Sequence, residues 1–391
     1  ALIAKAYDGF GHAARAPLVQ LGSGHFLLEL FHGPTLAFKD FAMQIIGQMF
    51  QAALERSGKR ITIVGATSGD TGSAAIEACR DSDVIDIFIL FPEGRVSPVQ
   101  QRQMTTVDSK NVHCIAVKGN FDDCQDMVKA LFADEAFRDE VTLSAVNSIN
   151  WARIMAQIVY YVWAGLNVGA PDREVAFAVP TGNFGNVYAG NAARALGLPI
   201  SQLVVGSNSN DILTRFLDTG SMTTEQVVPT LSPSMDIQIS SNFERLLFEM
   251  YDRQGSEVAD HLQKLRDAGG FSVDDAKWRE VRALFDGLRL DDEETRLVIT
   301  ETLAETGQLV DPHTAIGIAA ARAKARDRAT PMVSLATAHP AKFPDAVESA
   351  TGRRPGLPGR MADLFERPER FTDLAADTDA LKTLVRERIR R

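Results

Sequence analysis

The sequence predicts an α/β protein of two domains, each a sheet covered by helices. Strand-length apolar runs alternate with helix-length segments between about 58 and 150, a pattern that implies parallel strands joined by helical crossovers. The alternation resumes between 150 and 207 and returns at 332–340. A chain of 391 residues also exceeds what one hydrophobic core usually organises. The expected division is 1–57 as the N-terminal part of a large domain, 58–150 as a small mobile α/β domain, and 151–391 as the remainder of the large domain. A helical insertion is expected at about 218–307.

In chain order, residues 1–23 are weakly patterned, with a turn near Ala16-Pro17, and strand signals follow at 26–31. The segment 36–57 reads as a helix stopped by Ser57-Gly58. Buried strands follow at 61–64, 84–90 and 112–117, with helices after residue 75, at 97–106 and at 121–132. Pro98 suits a first helical turn. A short strand is expected at 142–146 and a long helix at 150–166. Strands at 174–180 and 200–207 flank a helix that ends near 196. The Thr/Ser/Pro-rich stretch 218–242 reads as an excursion, and 243–307 as mainly helical. A strand at 332–340 ends in a polar turn, and 373–391 reads as an amphipathic helix with a basic end.

Composition narrows the function. Hydrophobic residues make up 45% and charged residues 24%, as in ordinary globular proteins. The net charge of −10 argues against a nucleic-acid or anionic-membrane surface. No apolar run approaches the roughly 18–20 residues that span a membrane. The three cysteines, Cys79, Cys114 and Cys124, form no CxxC pair and no zinc spacing, so the expectation is a reducing, cytoplasmic setting and no metal. The chain starts at Ala1 with apolar Leu2-Ile3, which suggests that something precedes it.

The chemistry concentrates in three glycine- or proline-marked turns and one lysine. HGPTLAFKDF, 32–41, sets Lys39 at a strand-to-helix junction in apolar company. Desolvation there would favour the neutral amine, the condition for a lysine nucleophile towards a carbonyl cofactor. The other reading is a helix-start lysine with its head in water. GATSGDTG, 65–72, and TGNFGN, 181–186, each run from a strand into a helix, so free backbone N–H groups can face an anion. Ser68, Asp70 and Thr71 add polar groups to the first turn, where Asp70 would cap the helix or accept from an ammonium or a phenol. The second is neither GxxxxGK[ST] nor GxGxxG, which disfavours nucleoside triphosphates and dinucleotides. ATAHPAKF, 336–343, offers the Thr337 hydroxyl, a neutral partner for a pyridine nitrogen. Two anion-suited turns and a shielded lysine suggest a phosphorylated aldehyde cofactor and a second acidic ligand. His313, in DPHTA, reads as part of a helix start with Pro312 at its first position.

HGPTLAFKDF, ATSGDTG, NSINWAR, PTGNFGN, SNDILTRFL, LSPSMDI and ATAHPAKF together resemble threonine synthases, in order and spacing, from about residue 26 to about 350. The resemblance implies the two-domain fold type II of pyridoxal-phosphate enzymes (tryptophan synthase β-like), with parallel and mixed sheets under helices. It implies pyridoxal 5'-phosphate as cofactor and O-phospho-L-homoserine as substrate, with L-threonine and phosphate as products. It assigns Lys39 to the cofactor's Schiff base and Gly182, Asn183, Phe184, Gly185 and Asn186 to its phosphate. Thr337 would face the pyridine nitrogen. Thr67, Ser68, Asp70 and Thr71 would take the substrate carboxylate, and Asn147 and Arg153 the substrate phosphate. Partners beyond the small-molecule substrate are not implied: no nucleic acid, no membrane, a monomer or homodimer. The further N-terminal segment of family members has no counterpart before Ala1. The alternative within the fold is a phospho-lyase or a serine/threonine dehydratase that releases a keto acid. A cofactor-free protein that binds a phosphorylated metabolite is the rival from another class.

Overall fold

Isoleucine- and valine-rich runs form the predicted central strands, and these fall into two sheets. The computed structural model describes residues 1–145 and 147–390. Its contacts divide the chain into one unit of Ala1–Arg15, His32–Asn150 and Gly356–Arg391, and another of Ala16–Phe31 and Trp151–Pro355.

The first unit holds a five-stranded parallel sheet in the order Thr372–Ala375, Val112–Lys118, Ile85–Pro92, Ile61–Ala66, Leu143–Ser144. Val146, in the strand expected at 142–146, lies outside the described residues. Ile85–Pro92 is central and buried throughout, which is why it reads as an apolar run broken only by Asp86. Its one charge, Asp86, is met by Arg60 and Arg390 at 3.2 and 2.6 Å. Alternate residues face two cores: Ile63, Ile87 and Ile89 on one side, and Val64, Phe88 and Leu90 on the other. The three cysteines are buried and free.

This division differs from the expected boundary at 57/58 and from a tail assigned wholly to the large domain. The helix Lys39–Ser57 packs on the helix Asp70–Cys79 so closely that a Cβ on Gly47 would collide with the Ala78 carbonyl. The tail supplies the edge strand Thr372–Ala375, and its helix Thr378–Arg388 seats Leu381 and Val385 in the core beside Leu131.

The second unit holds a six-stranded sheet in the order Leu18–Gly22, His25–Glu29, Met332–Ala336, Val175–Pro180, Ile200–Ser207, Phe285–Arg289. All pairs are parallel except the first, a hairpin. Two of these strands correct the sequence reading. Leu18–Gly22 lies in the weakly patterned start, and Phe285–Arg289 comes from the expected helical insertion. The insertion also carries a small ladder, Ser221–Thr223 with Gly270–Ser272, beside three helices, Phe243–Met250, Gly255–Ala268 and Asp275–Leu284. The buried helix Pro312–Lys324 starts at Asp311, which accepts from the backbone N–H groups of His313 and Thr314, and it packs on the middle of the sheet. Among the described residues no helix is long and apolar enough to cross a membrane.

Candidate active site

The strands Val175–Pro180 and Met332–Ala336 are parallel neighbours, so the turns that follow them leave the same edge of the sheet. The carboxyl ends of parallel strands are where open α/β sheets take ligands. After the first strand the chain turns through Thr181–Phe184 into the helix Gly185–Ala195. Phe184 lies in the left-handed region at φ 61°, and no side chain caps the helix. A non-glycine residue holds that conformation here because its ring is buried, 5.3 Å from the Phe243 ring and 5.8 Å from the Phe285 ring. The uncapped N-terminus leaves its first N–H groups for an anion.

The turn is braced from behind. Ser240 Oγ donates to the Gly182 carbonyl at 2.8 Å, and Asn242 donates to the Asn183 carbonyl through its backbone N–H and Nδ2 at 3.1 and 3.0 Å. A Cβ on Gly182 would stand 3.1 Å from Met235 Cα and from the Ser234 carbonyl oxygen, so glycine lets this strap close on the turn. The strap is tied down in turn: His313 Nε2 accepts from the Ser234 N–H at 3.3 Å, while Nδ1 lies 2.6 Å from Asp311 Oδ2. His313 is thus more than part of a helix start.

Asn186 points its carbonyl oxygen at two buried phenols, 2.6 Å from the Tyr160 hydroxyl and 3.1 Å from that of Tyr161. Burial holds both phenols well above their usual range. Asn186 Nδ2, on the other side of that amide, is buried with no hydrogen-bond partner among the described residues. Arg153 lies on the buried face of the helix Trp151–Asn167, four residues before Gln157, which donates to the Arg153 carbonyl. Its Nε and Nη1 are also buried without a partner among the described residues, and burial pulls the guanidinium down to about 10. Orphaned buried donors at these two residues fit an anionic ligand. Thr337 is buried one residue past its strand.

In the other unit Lys39 opens the helix Lys39–Ser57, and its side chain is only 11% exposed, which removes the reading of a lysine with its head in water. Nζ donates to Asp70 Oδ2 at 2.9 Å and stands 4.9 Å from the centre of the Phe38 ring. Asp40, the next acid, is engaged elsewhere: its two oxygens accept from the Thr35 N–H and hydroxyl at 2.8 and 2.7 Å. Thr67 is buried and its Oγ1 accepts from the N–H groups of Gly69 and Gly72 at 2.9 and 2.8 Å, so it shapes the turn from within. Ser68 is exposed and Thr71 half-buried. Asn147 is exposed.

One partner of Asp70 escaped the sequence reading. Gln100 Nε2 donates to Asp70 Oδ1 at 2.9 Å, so Asp70 bridges a lysine and an amide. Its only local signal is the serine three residues earlier: Ser97 and Gln100 form a capping box, which reads as helix structure alone.

Comparison with known proteins decides the family. A profile described as "Pyridoxal-phosphate dependent enzyme" matches residues 11–264, and one described as "Threonine synthase, C-terminal" matches 314–385. A threonine synthase from Pseudomonas aeruginosa is 55% identical over 385 residues, covering 98% of this chain and 82% of its own length. The chain belongs to the threonine synthase family of pyridoxal-phosphate-dependent enzymes. The crystal structure of a PLP-bound threonine synthase from Brucella melitensis superposes with a TM-score of 0.97 at 53% identity, covering 100% of this chain and 84% of that one. A yeast threonine synthase gives 0.93 at 41% identity, covering 99% and 83%. At 14% identity, a threonine deaminase from Solanum lycopersicum, with a TM-score of 0.61, shares the fold alone, over 90% of this chain and 86% of that one. Threonine synthase family membership carries with it the lyase class, the fold type II architecture and pyridoxal phosphate as cofactor.

Proposed function

We propose that this chain converts O-phospho-L-homoserine and water to L-threonine and phosphate, with Lys39 as the residue that carries the cofactor. The supporting observation is the lysine itself: a helix-start amine drawn out of water and held at 2.9 Å by an acid partner. Surface lysines rarely accept such confinement, whereas a lysine with catalytic work needs its proton controlled.

The chain's groups suit the cofactor. The N–H groups at Gly185 and Asn186, in the braced 182–186 turn with Asn183 and Phe184, would hold its phosphate, and the buried Thr337 hydroxyl would face the ring nitrogen without protonating it. Pyridoxal phosphate supplies the electron sink when bound. Lys39 Nζ, once freed by the substrate amine, would move protons at the α and β carbons. Ser68, Thr71 and the amides of their turn would take the substrate carboxylate, with Thr67 giving the turn its shape. Arg153 would meet the substrate phosphate with Asn147, and a departing phosphate that stays on the guanidinium could activate the incoming water. Asp70, an acid beside a proposed carboxylate site, serves Lys39 instead. A reducing, cytoplasmic location fits three free, buried thiols.

Replacing Lys39 with alanine is expected to abolish both threonine formation from phosphohomoserine and the visible absorbance of the bound cofactor. A variant that keeps either would overturn the assignment.

A further inference from the structure

We propose that Gln100 is a positioning residue that fixes Asp70 as the proton partner of Lys39. The inference rests on the reading of Lys39 given above and goes beyond it.

The geometry leaves Gln100 one orientation. Its Oε1 accepts from the Ser97 N–H at 3.1 Å, the second half of the capping box at the start of the helix Pro98–Thr105. That directs Nε2 at Asp70 Oδ1, 2.9 Å away. A flipped amide would set an oxygen against the carboxylate and an NH2 against an N–H, losing both contacts. Gln100 is 1% exposed, so water cannot stand in for either. Gly69 closes over the amide: at φ +132° it adopts a conformation that favours glycine, and a Cβ there would collide with the Gln100 carboxamide. The turn before Asp70 is therefore shaped around this glutamine.

With Oδ1 held by an amide donor, the Asp70 carboxyl group is turned so that Oδ2 meets Lys39 Nζ. Asp40, next to Lys39 in sequence, accepts from Thr35 through both its oxygens. The exchange is simple in its balance. One N–H bond of the Lys39 ammonium breaks, one O–H bond forms at Asp70 Oδ2, and a neutral amine and a neutral carboxyl result. The amine is then free to attack a carbonyl. Gln100 touches neither Lys39 nor the reacting atoms in this scheme and acts through Asp70 alone.

The test follows pyridoxal phosphate loading onto the cofactor-free chain by visible absorbance, as a function of pH. Loading needs the neutral amine, so its rate reports the pH at which Lys39 gives up its proton. Asp70→Asn should lower that midpoint by about one pH unit or more, since an opposite charge at this distance favours the ammonium. Gln100→Leu should lower it by a smaller amount, and loading at a pH below the midpoint should quicken several-fold. Added to Asp70→Asn, Gln100→Leu should cause no further shift, the mark of a residue that acts only through its neighbour. Gln100→Met repeats the comparison with a side chain of similar length, should the leucine variant not fold. An unmoved midpoint in the single variant, or an equal shift with and without Asp70, overturns the proposal. Lys39→Ala separates the two levels: if that variant still develops the absorbance, the reading of Lys39 has failed, whatever Gln100 does.

Discussion

Arg153 carries a charge that the folded chain disfavours. Its guanidinium is pulled down to about 10 by burial, and Nε and Nη1 lack partners among the described residues. A base whose folded value lies below its unfolded one destabilises the fold at pH below both, and the cost lifts only as pH rises through the folded value towards the unfolded one. At neutral pH it is therefore present in full, at roughly 3 kcal/mol. Arg153→Met should accordingly raise the stability of the cofactor-free chain by about 1–3 kcal/mol in urea unfolding. It should also lower kcat/KM for phosphohomoserine by about a hundredfold or more. Inorganic phosphate should raise the Tm of the parent chain and leave that of the variant unchanged; a variant less stable than its parent would mean that the arginine has a structural partner. At this scale the confinement of Lys39 was legible because the residues around it form a dense, ordered block, and the sequence also singles out Arg153 as a candidate for the substrate phosphate. Gln100 was not. It lies thirty residues from Asp70 along the chain, and a glutamine three residues after a serine already has a sufficient explanation as a cap.

Among the elements, the turn before the helix Gly185–Ala195 depends on packing rather than on its own sequence preference. Phe184 holds a positive φ because its ring is fixed by Phe243 and Phe285. Phe184→Ala removes that anchor and leaves a cavity, for a loss of about 3–4 kcal/mol in urea unfolding of the cofactor-free chain. The turn would relax, so the Kd for pyridoxal phosphate, read from absorbance titration, should rise at least tenfold. Unchanged cofactor affinity would show that the strap through Ser240 and Asn242 holds the turn alone. The strands divide in legibility along the same physical line. Those inside the sheets, such as Ile85–Pro92 and Val175–Pro180, are buried along their whole length and read as near-continuous apolar runs. The strands of the two large sheets that were missed, Leu18–Gly22, Phe285–Arg289 and Thr372–Ala375, all stand at sheet edges. An edge strand has a neighbour on one side only, and two of these three alternate between half-buried and exposed residues for much of their length, so their apolar signal is diluted by loop-like residues.

For the whole molecule, the two units are interleaved in sequence, with the chain passing between them after Arg15, Phe31, Asn150 and Pro355. No composition shift marks these passages in the sequence. The organisation is fixed by which sheet a segment joins, and that is a long-range fact. Each unit nonetheless has its own core: Leu381 and Val385 from the tail pack with Leu131 and Phe137 in one, while Phe184, Phe243 and Phe285 cluster in the other. Separate cores of this kind predict separate stabilities. Leu381→Ala should cost about 2–4 kcal/mol in the unit that carries the five-stranded sheet, and Phe184→Ala should act on the six-stranded one. Urea unfolding followed by hydrogen exchange would then show protection lost in 61–118 for the first variant and in 175–207 for the second, each leaving the other stretch at its parent level. If either substitution lowered protection equally in both stretches, the chain would be a single cooperative unit, and the tail's attachment to the smaller sheet would have no thermodynamic meaning of its own.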